Sequence, residues 1–141
     1  MSEFENKLKK IASEIRDHLD PKLNYSEYCY QNLLLKLYLQ LDDCVKTEVP
    51  IMYWNTDRTI QFGHGRVDLV VETEAEVFLI ELKANTNKLR AAELQLAKYV
   101  HHYKHNTKST KKIVGLLFMF NYRPCRGTNH WDCFIRIQNS S

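Results

Sequence analysis

Asp68, Glu81 and Lys83 are the residues whose types and spacing suggest chemistry. They lie in two apolar runs, Arg66-Val67-Asp68-Leu69-Val70-Val71 and Val77-Phe78-Leu79-Ile80-Glu81-Leu82-Lys83, separated by Glu72-Thr73-Glu74-Ala75-Glu76. Runs rich in Val, Ile and Leu around a polar turn read as adjacent antiparallel strands. A turn symmetric about Glu74 and Ala75 sets Asp68 opposite Glu81 and Arg66 opposite Lys83. Side chains alternate along a strand, so Glu81 and Lys83 share a face, and the pairing brings Asp68 to it. Directly opposed carboxylates have Cβ atoms about 5 Å apart and repel each other. A divalent cation removes that penalty, because Mg²⁺ takes one or two carboxylates and completes its shell with water and phosphate oxygens. Two readings follow. One is a diagonal salt-bridge set, Arg66 with Glu81 and Lys83 with Asp68, at a solvated sheet end. The other is a metal-dependent phosphodiesterase site. There Asp68 and Glu81 hold Mg²⁺, with Mn²⁺ able to substitute, and Lys83 orients the attacking water and offsets phosphate charge.

The elements that must position these residues read in order along the chain. Phe4, Leu8, Ile11, Ile15 and Leu19 form one stripe of an amphipathic helix over 3–19 that ends near Pro21. A second helix runs from about Tyr25 or Ser26 to Leu41, with Ser26 as its N-cap. Glu27 stands in its first turn on the side of Tyr30, Leu34 and Leu37. It either serves the helix dipole or is a third acid aimed at the hairpin. Cys44 to Trp54 reads as a strand that Pro50 confines to an edge or a bulge. Asn55 to Arg58 reads as a turn, and Gly63-His64-Gly65 as a flexible stretch entering the hairpin. His64 there can touch a phosphate.

After Lys83 a helix is predicted from about Lys88 to His105, burying Leu89, Ala92, Leu96, Tyr99, Val100 and Tyr103. Gln95 shares the side of Ala92 and Tyr99 and leans towards the strand ends. His101, His102 and His105 with Lys104, Lys108, Lys111 and Lys112 make a basic helix end. It suits the helix dipole and offers a phosphate-contacting patch, with Arg66 a further candidate contact. Lys112 to Tyr122 is apolar on both faces, as a central covered strand is. Trp131 to Gln138 alternates like a last strand.

The order is helix, strand, strand, strand, helix, strand. With the upstream Glu27-Tyr28-Cys29-Tyr30, it carries Arg66-Val67-Asp68-Leu69-Val70, Ile80-Glu81-Leu82-Lys83-Ala84, Gln95-Leu96-Ala97-Lys98-Tyr99 and Val114-Gly115-Leu116-Leu117. This constellation resembles the PD-(D/E)XK nuclease superfamily, and within it the group called GxxExxY proteins. Asn24 stands where the group name has glycine. The resemblance implies an α/β fold, an α+β mixed sheet with a restriction-endonuclease-like core over about residues 24–122. An extra N-terminal helix and C-terminal strand complete one domain over 1–141. It also implies Glu27, Asp68, Glu81 and Lys83 as catalytic residues, with Gln95 facing them from the helix. The metal would lie on Asp68, Glu81 and Glu27, and the substrate would be nucleic acid, DNA first. A homodimer would suit a double-strand cutter. The competing reading is a non-catalytic module of the same fold that binds nucleic acid or a protein.

Composition agrees with a small globular domain. The chain has 141 residues, 44% hydrophobic and 26% charged, with a net charge of +3, mildly basic without compelling nucleic-acid binding. No run approaches the ~20 apolar residues of a membrane span, and the acidic amphipathic start lacks a secretory core, which predicts an intracellular protein. The four cysteines, Cys29, Cys44, Cys125 and Cys133, show no CxxC spacing and are read as reduced thiols.

Overall fold

The computed structural model describes residues 44–83 and 89–120, the strand backbone of 133–139, and, nearer the N-terminus, the helical residues Asn6, Lys10, Cys29, Asn32 and Leu33. Most of the two expected N-terminal helices, Glu27 included, lies outside the described residues. The described elements are β1 (Cys44–Trp54), β2 (Gln61–Glu72), β3 (Glu76–Lys83), α1 (Leu89–Thr107), β4 (Lys112–Phe120) and β5 (Cys133–Asn139). They form one mixed five-stranded sheet in the order β1-β2-β3-β4-β5. The β3–β4 pair is parallel and the other three pairs are antiparallel. Parallel neighbours need a crossover connection, and α1 supplies it.

Burial follows from this order. β3 sits between β2 and β4, and Val77 to Ile80 and Leu82 are buried on both of its faces. β1, with Pro50 in the middle, is an edge strand, as a residue without a backbone N–H requires. α1 packs Ala92, Leu96, Tyr99 and Val100 against Ile51, Val67, Val70, Val77, Leu79, Ile113 and Leu117. The helix lies close because β4 has glycine beneath it. A Cβ on Gly115 would stand 2.8 Å from Val100 Cγ2 and 3.0 Å from Leu96 Cγ.

The C-terminal end of α1 is terminated locally and anchored to a neighbouring segment. Lys108 takes a left-handed conformation, φ 50°, and its amide donates to the Lys104 carbonyl at 3.1 Å, closing the helix. Arg58 Nη1 donates to the His105 carbonyl and to Asn106 Oδ1, each at 3.3 Å, placing a cation where the helix dipole favours one. Glycine adopts the left-handed region without the Cβ penalty. Lys108→Gly is therefore expected to raise stability by about 0.5–1 kcal/mol, read as a higher urea midpoint at constant slope.

The β2–β3 turn is pinned by Thr73, whose amide donates to the Glu76 carbonyl at 2.9 Å while its Oγ1 accepts from the Glu76 amide at 3.1 Å. Lys111 Nζ reaches the same turn, donating to Glu72 Oε1 at 2.8 Å and to the Thr73 carbonyl at 2.9 Å. The Lys111 ammonium, by hydrogen bond and charge, holds the Glu72 carboxyl below the ordinary glutamate pKa. A carboxyl depressed in the folded state adds stability above its unfolded pKa, and this is lost as pH falls through the folded value. Lys111→Met is expected to remove that carboxylate-linked component, so that the melting-temperature gap to wild type narrows as pH drops below the glutamate range, down to the pH-independent loss of the Thr73 contact.

Candidate active site

The predicted pairing of β2 with β3 holds along its ladder, which runs from Glu72↔Val77 to Leu69↔Ile80. The next pair is Asp68 and Glu81, and there side chains replace the backbone ladder. The Asp68 amide donates to Glu81 Oε1 at 3.1 Å, and the Leu82 amide donates to Asp68 Oδ2 at 2.8 Å. Each carboxylate thus satisfies an amide at the mouth of the hairpin. Together the two acids are locked to the main chain of both strands.

β2 also changes face at this point. Val67 and Val70, three residues apart, both join the cluster under α1, so strict alternation breaks between them, at Asp68 and Leu69. On β1 the register passes from Thr47↔Leu69 to Val49↔Val67, and Glu48 between them has a φ of 50°. This shared irregularity lets Asp68 reach sideways to the β3 backbone. Glu81 follows Val77 and Leu79 on the α1 side and is 5% exposed. Lys83, two residues on, shares that side by alternation and is half-buried.

Two tyrosines enclose the carboxylates from the α1 side. The Tyr99 hydroxyl accepts from Gln95 Nε2 at 2.7 Å and from the Arg66 main chain. Burial first, then the nearby Glu81 charge, raises the pKa of both Tyr99 and Tyr53, so each hydroxyl keeps its proton at neutral pH. Gly65 makes room for both rings: a Cβ there would lie within 3.0 Å of atoms of Tyr99 and Tyr53. This corrects the expectation of a flexible Gly63-His64-Gly65 stretch, since all three residues are inside β2. The glycines serve the packing of aromatic rings across the strand. A Gly-x-Gly pair in strand register with a tyrosine on the neighbouring strand is the sequence signal that identifies Tyr53.

The expected site residues therefore divide. Asp68 and Glu81 come together, Lys83 follows on the same side, and Gln95 connects through Tyr99. Glu27 lies outside the described residues. Arg66 and His64 alternate with Gly63, Gly65 and Val67, so they fall on the sheet face away from α1 and do not join the carboxylates. The basic helix end is also apart from them. Glu76 and Lys112 pair at one end of the parallel β3–β4 ladder and Lys83 closes the other, about 23 Å away at strand rise. Lys104 and Lys108 close the C-terminal end of α1, where the Lys108 amide donates to the Lys104 carbonyl. Lys111 is occupied by Glu72 and Thr73.

The donors fit a hard divalent ion. Two carboxylates anchored at one point, one of them buried, match the oxygen chemistry of Mg²⁺, which uses one or two carboxylates plus water. Each carboxylate has about four lone-pair sites, so accepting one amide is compatible with ligation. No cluster of three or more metal-ligating side chains occurs among the described residues.

Comparison with known proteins gives the family. The family model described as the PD-(D/E)XK nuclease superfamily matches residues 2–130, and the chain belongs to that superfamily. Among curated proteins none matches. The crystal structure of SSO0001 is similar at 14% identity and a TM-score of 0.41, over 94% of this chain and 76% of that one. No helix among the described residues is long and apolar enough to cross a membrane.

Proposed function

We propose that this protein is a metal-dependent nuclease that hydrolyses phosphodiester bonds in nucleic acid, DNA being the first substrate to test. The observation that carries the reading is the mouth of the β2–β3 hairpin. There the Glu81 carboxylate accepts the Asp68 amide and the Asp68 carboxylate accepts the Leu82 amide, and Lys83 follows on the Glu81 side.

In this reading Asp68 and Glu81 hold Mg²⁺ or Mn²⁺, with Glu27 as the further acid that the family motif implies. When bound, the ion supplies Lewis-acid activation of the phosphate and a more acidic water. The chain's own residues do the rest. The amide locks keep the two carboxylates from swinging into solvent. The Lys83 ammonium faces the incoming phosphate, orients the attacking water and offsets charge as the transition state forms. Gln95 holds the Tyr99 hydroxyl, and Tyr99 and Tyr53 shield the Glu81 side from bulk water. The family membership supports the reaction class, and the acids and the lysine of the family pattern are all present in the chain.

Metal binding separates this reading from a non-catalytic module of the same fold. Calorimetric titration with Mn²⁺ is expected to give saturable binding to the wild type that Glu81→Ala removes. Nucleic-acid binding that weakens steeply with salt, with no Mn²⁺ binding, would favour the module.

A further inference from the structure

The β1–β2 ladder pairs Tyr53 with Gly63 and Trp54 with Gln61, so Phe62 is the extra residue of a β-bulge. A bulge re-aims a side chain that alternation would send to the opposite face. Here it brings the Phe62 ring to 6.1 Å from Tyr53 and 6.0 Å from His102 between ring centroids, while 64% of Phe62 stays exposed. Tyr53 and His102 lie at 4.5 Å, and His101 meets His102 edge-on at 5.0 Å. These rings form a contiguous aromatic cluster that begins at the exposed Phe62 and His101. It ends at Tyr53, whose hydroxyl stands beside Gly65, on the way to the carboxylates.

Charge identifies the occupant. From Gln95 to Lys112 the chain carries no acidic residue. Lys98 and His101, one helical turn apart and both exposed, flank the cluster on α1. Aromatic faces beside the Lys98 ammonium, leading to a phosphodiester site, suit unstacked bases whose backbone passes that lysine. A duplex keeps its bases stacked inside and offers the Phe62 ring nothing to stack on.

We propose that Phe62 and the adjoining rings of Tyr53, His102 and His101 form a base-stacking platform for single-stranded nucleic acid feeding the Asp68–Glu81 site, an inference that rests on the nuclease reading. The test is fluorescence anisotropy of a labelled oligothymidylate and of a labelled hairpin duplex. Both are titrated with Lys83→Ala protein, so that nothing is cut, with and without Phe62→Ala. Removing the ring is expected to weaken oligothymidylate binding roughly 5- to 150-fold and to leave duplex binding within about twofold. Phe62→Tyr restores the affinity. Phe62→Leu, which keeps apolar cover over Tyr53 and His102, binds as weakly as Phe62→Ala, which separates stacking from a packing defect. Equal oligothymidylate affinity with and without the ring, or an equal loss on the duplex, overturns the platform. The assay needs no cleavage, so the two failures are distinct. Ring-dependent binding by a wild type that never cuts would remove the nuclease reading alone. Cutting with ring-independent binding would remove the platform alone.

Discussion

Lys83→Ala is expected to lower cleavage by at least about 10²-fold, the scale of losing one preorganised electrostatic contact in a transition state. The melting temperature should hardly move, because Lys83 is half-buried at the end of β3 and the core strands before it are untouched. The carboxylates give a sharper version of the same prediction. Asp68→Asn and Glu81→Gln keep an oxygen to accept the Leu82 and Asp68 amides, so both variants should fold while losing cleavage. The alanine variants remove that acceptor and leave an amide unsatisfied at the hairpin mouth, a loss of about 1–3 kcal/mol. A melting-temperature series should therefore rank the amide variants near wild type and the alanines well below. If Asp68→Asn and Glu81→Gln unfold as badly as the alanines, the charges themselves hold the fold, and the salt-bridge reading of these residues gains.

Gly65→Ala should produce the second large effect. The new Cβ would press on Tyr99 Cε1 and on both tyrosine hydroxyls. Tyr99 is 2% exposed and held by Gln95 and the Arg66 main chain, so it has little room to retreat. Overpacking of this kind typically costs about 1–3 kcal/mol, read as a lower urea midpoint. The same displacement moves the aromatic wall beside Glu81, so cleavage should fall beyond the loss of folded protein. Tyr53→Phe removes one of the clashing atoms. The double variant Gly65→Ala with Tyr53→Phe should therefore lose less stability than the two single losses summed.

The reach of sequence reasoning is clearest at the hairpin. The symmetric turn at Glu74 and Ala75 was enough to predict the register that the Leu69↔Ile80 to Glu72↔Val77 ladder adopts. The β1 edge strand was readable from Pro50, and the buried stripe of α1 from its periodicity. Alternation could not reveal where it fails. The switch of faces at Asp68 lies across from Glu48, which is left-handed in the neighbouring strand, and Phe62 is the extra residue of a bulge against Tyr53 and Trp54. Gly63 and Gly65 looked flexible because the rings that fill the space above them come from other elements, Tyr53 of β1 over both and Tyr99 of α1 over Gly65. The lysines after Tyr103 looked like one patch, yet Lys111 turns back onto Glu72 and Thr73 at the end of the sheet away from Lys83. Each miss is a contact between different elements overriding a local pattern.

The measurement that tests the account most directly is cleavage of a labelled panel of single-stranded, duplex and branched DNA and of RNA. It would be run in Mg²⁺, Mn²⁺ or EDTA, with Lys83→Ala purified in parallel. The expected result is cutting of at least one substrate that requires the metal and is lost in the variant. Folded wild-type protein that cuts none of them, or cutting that persists in EDTA or in Lys83→Ala, would contradict it.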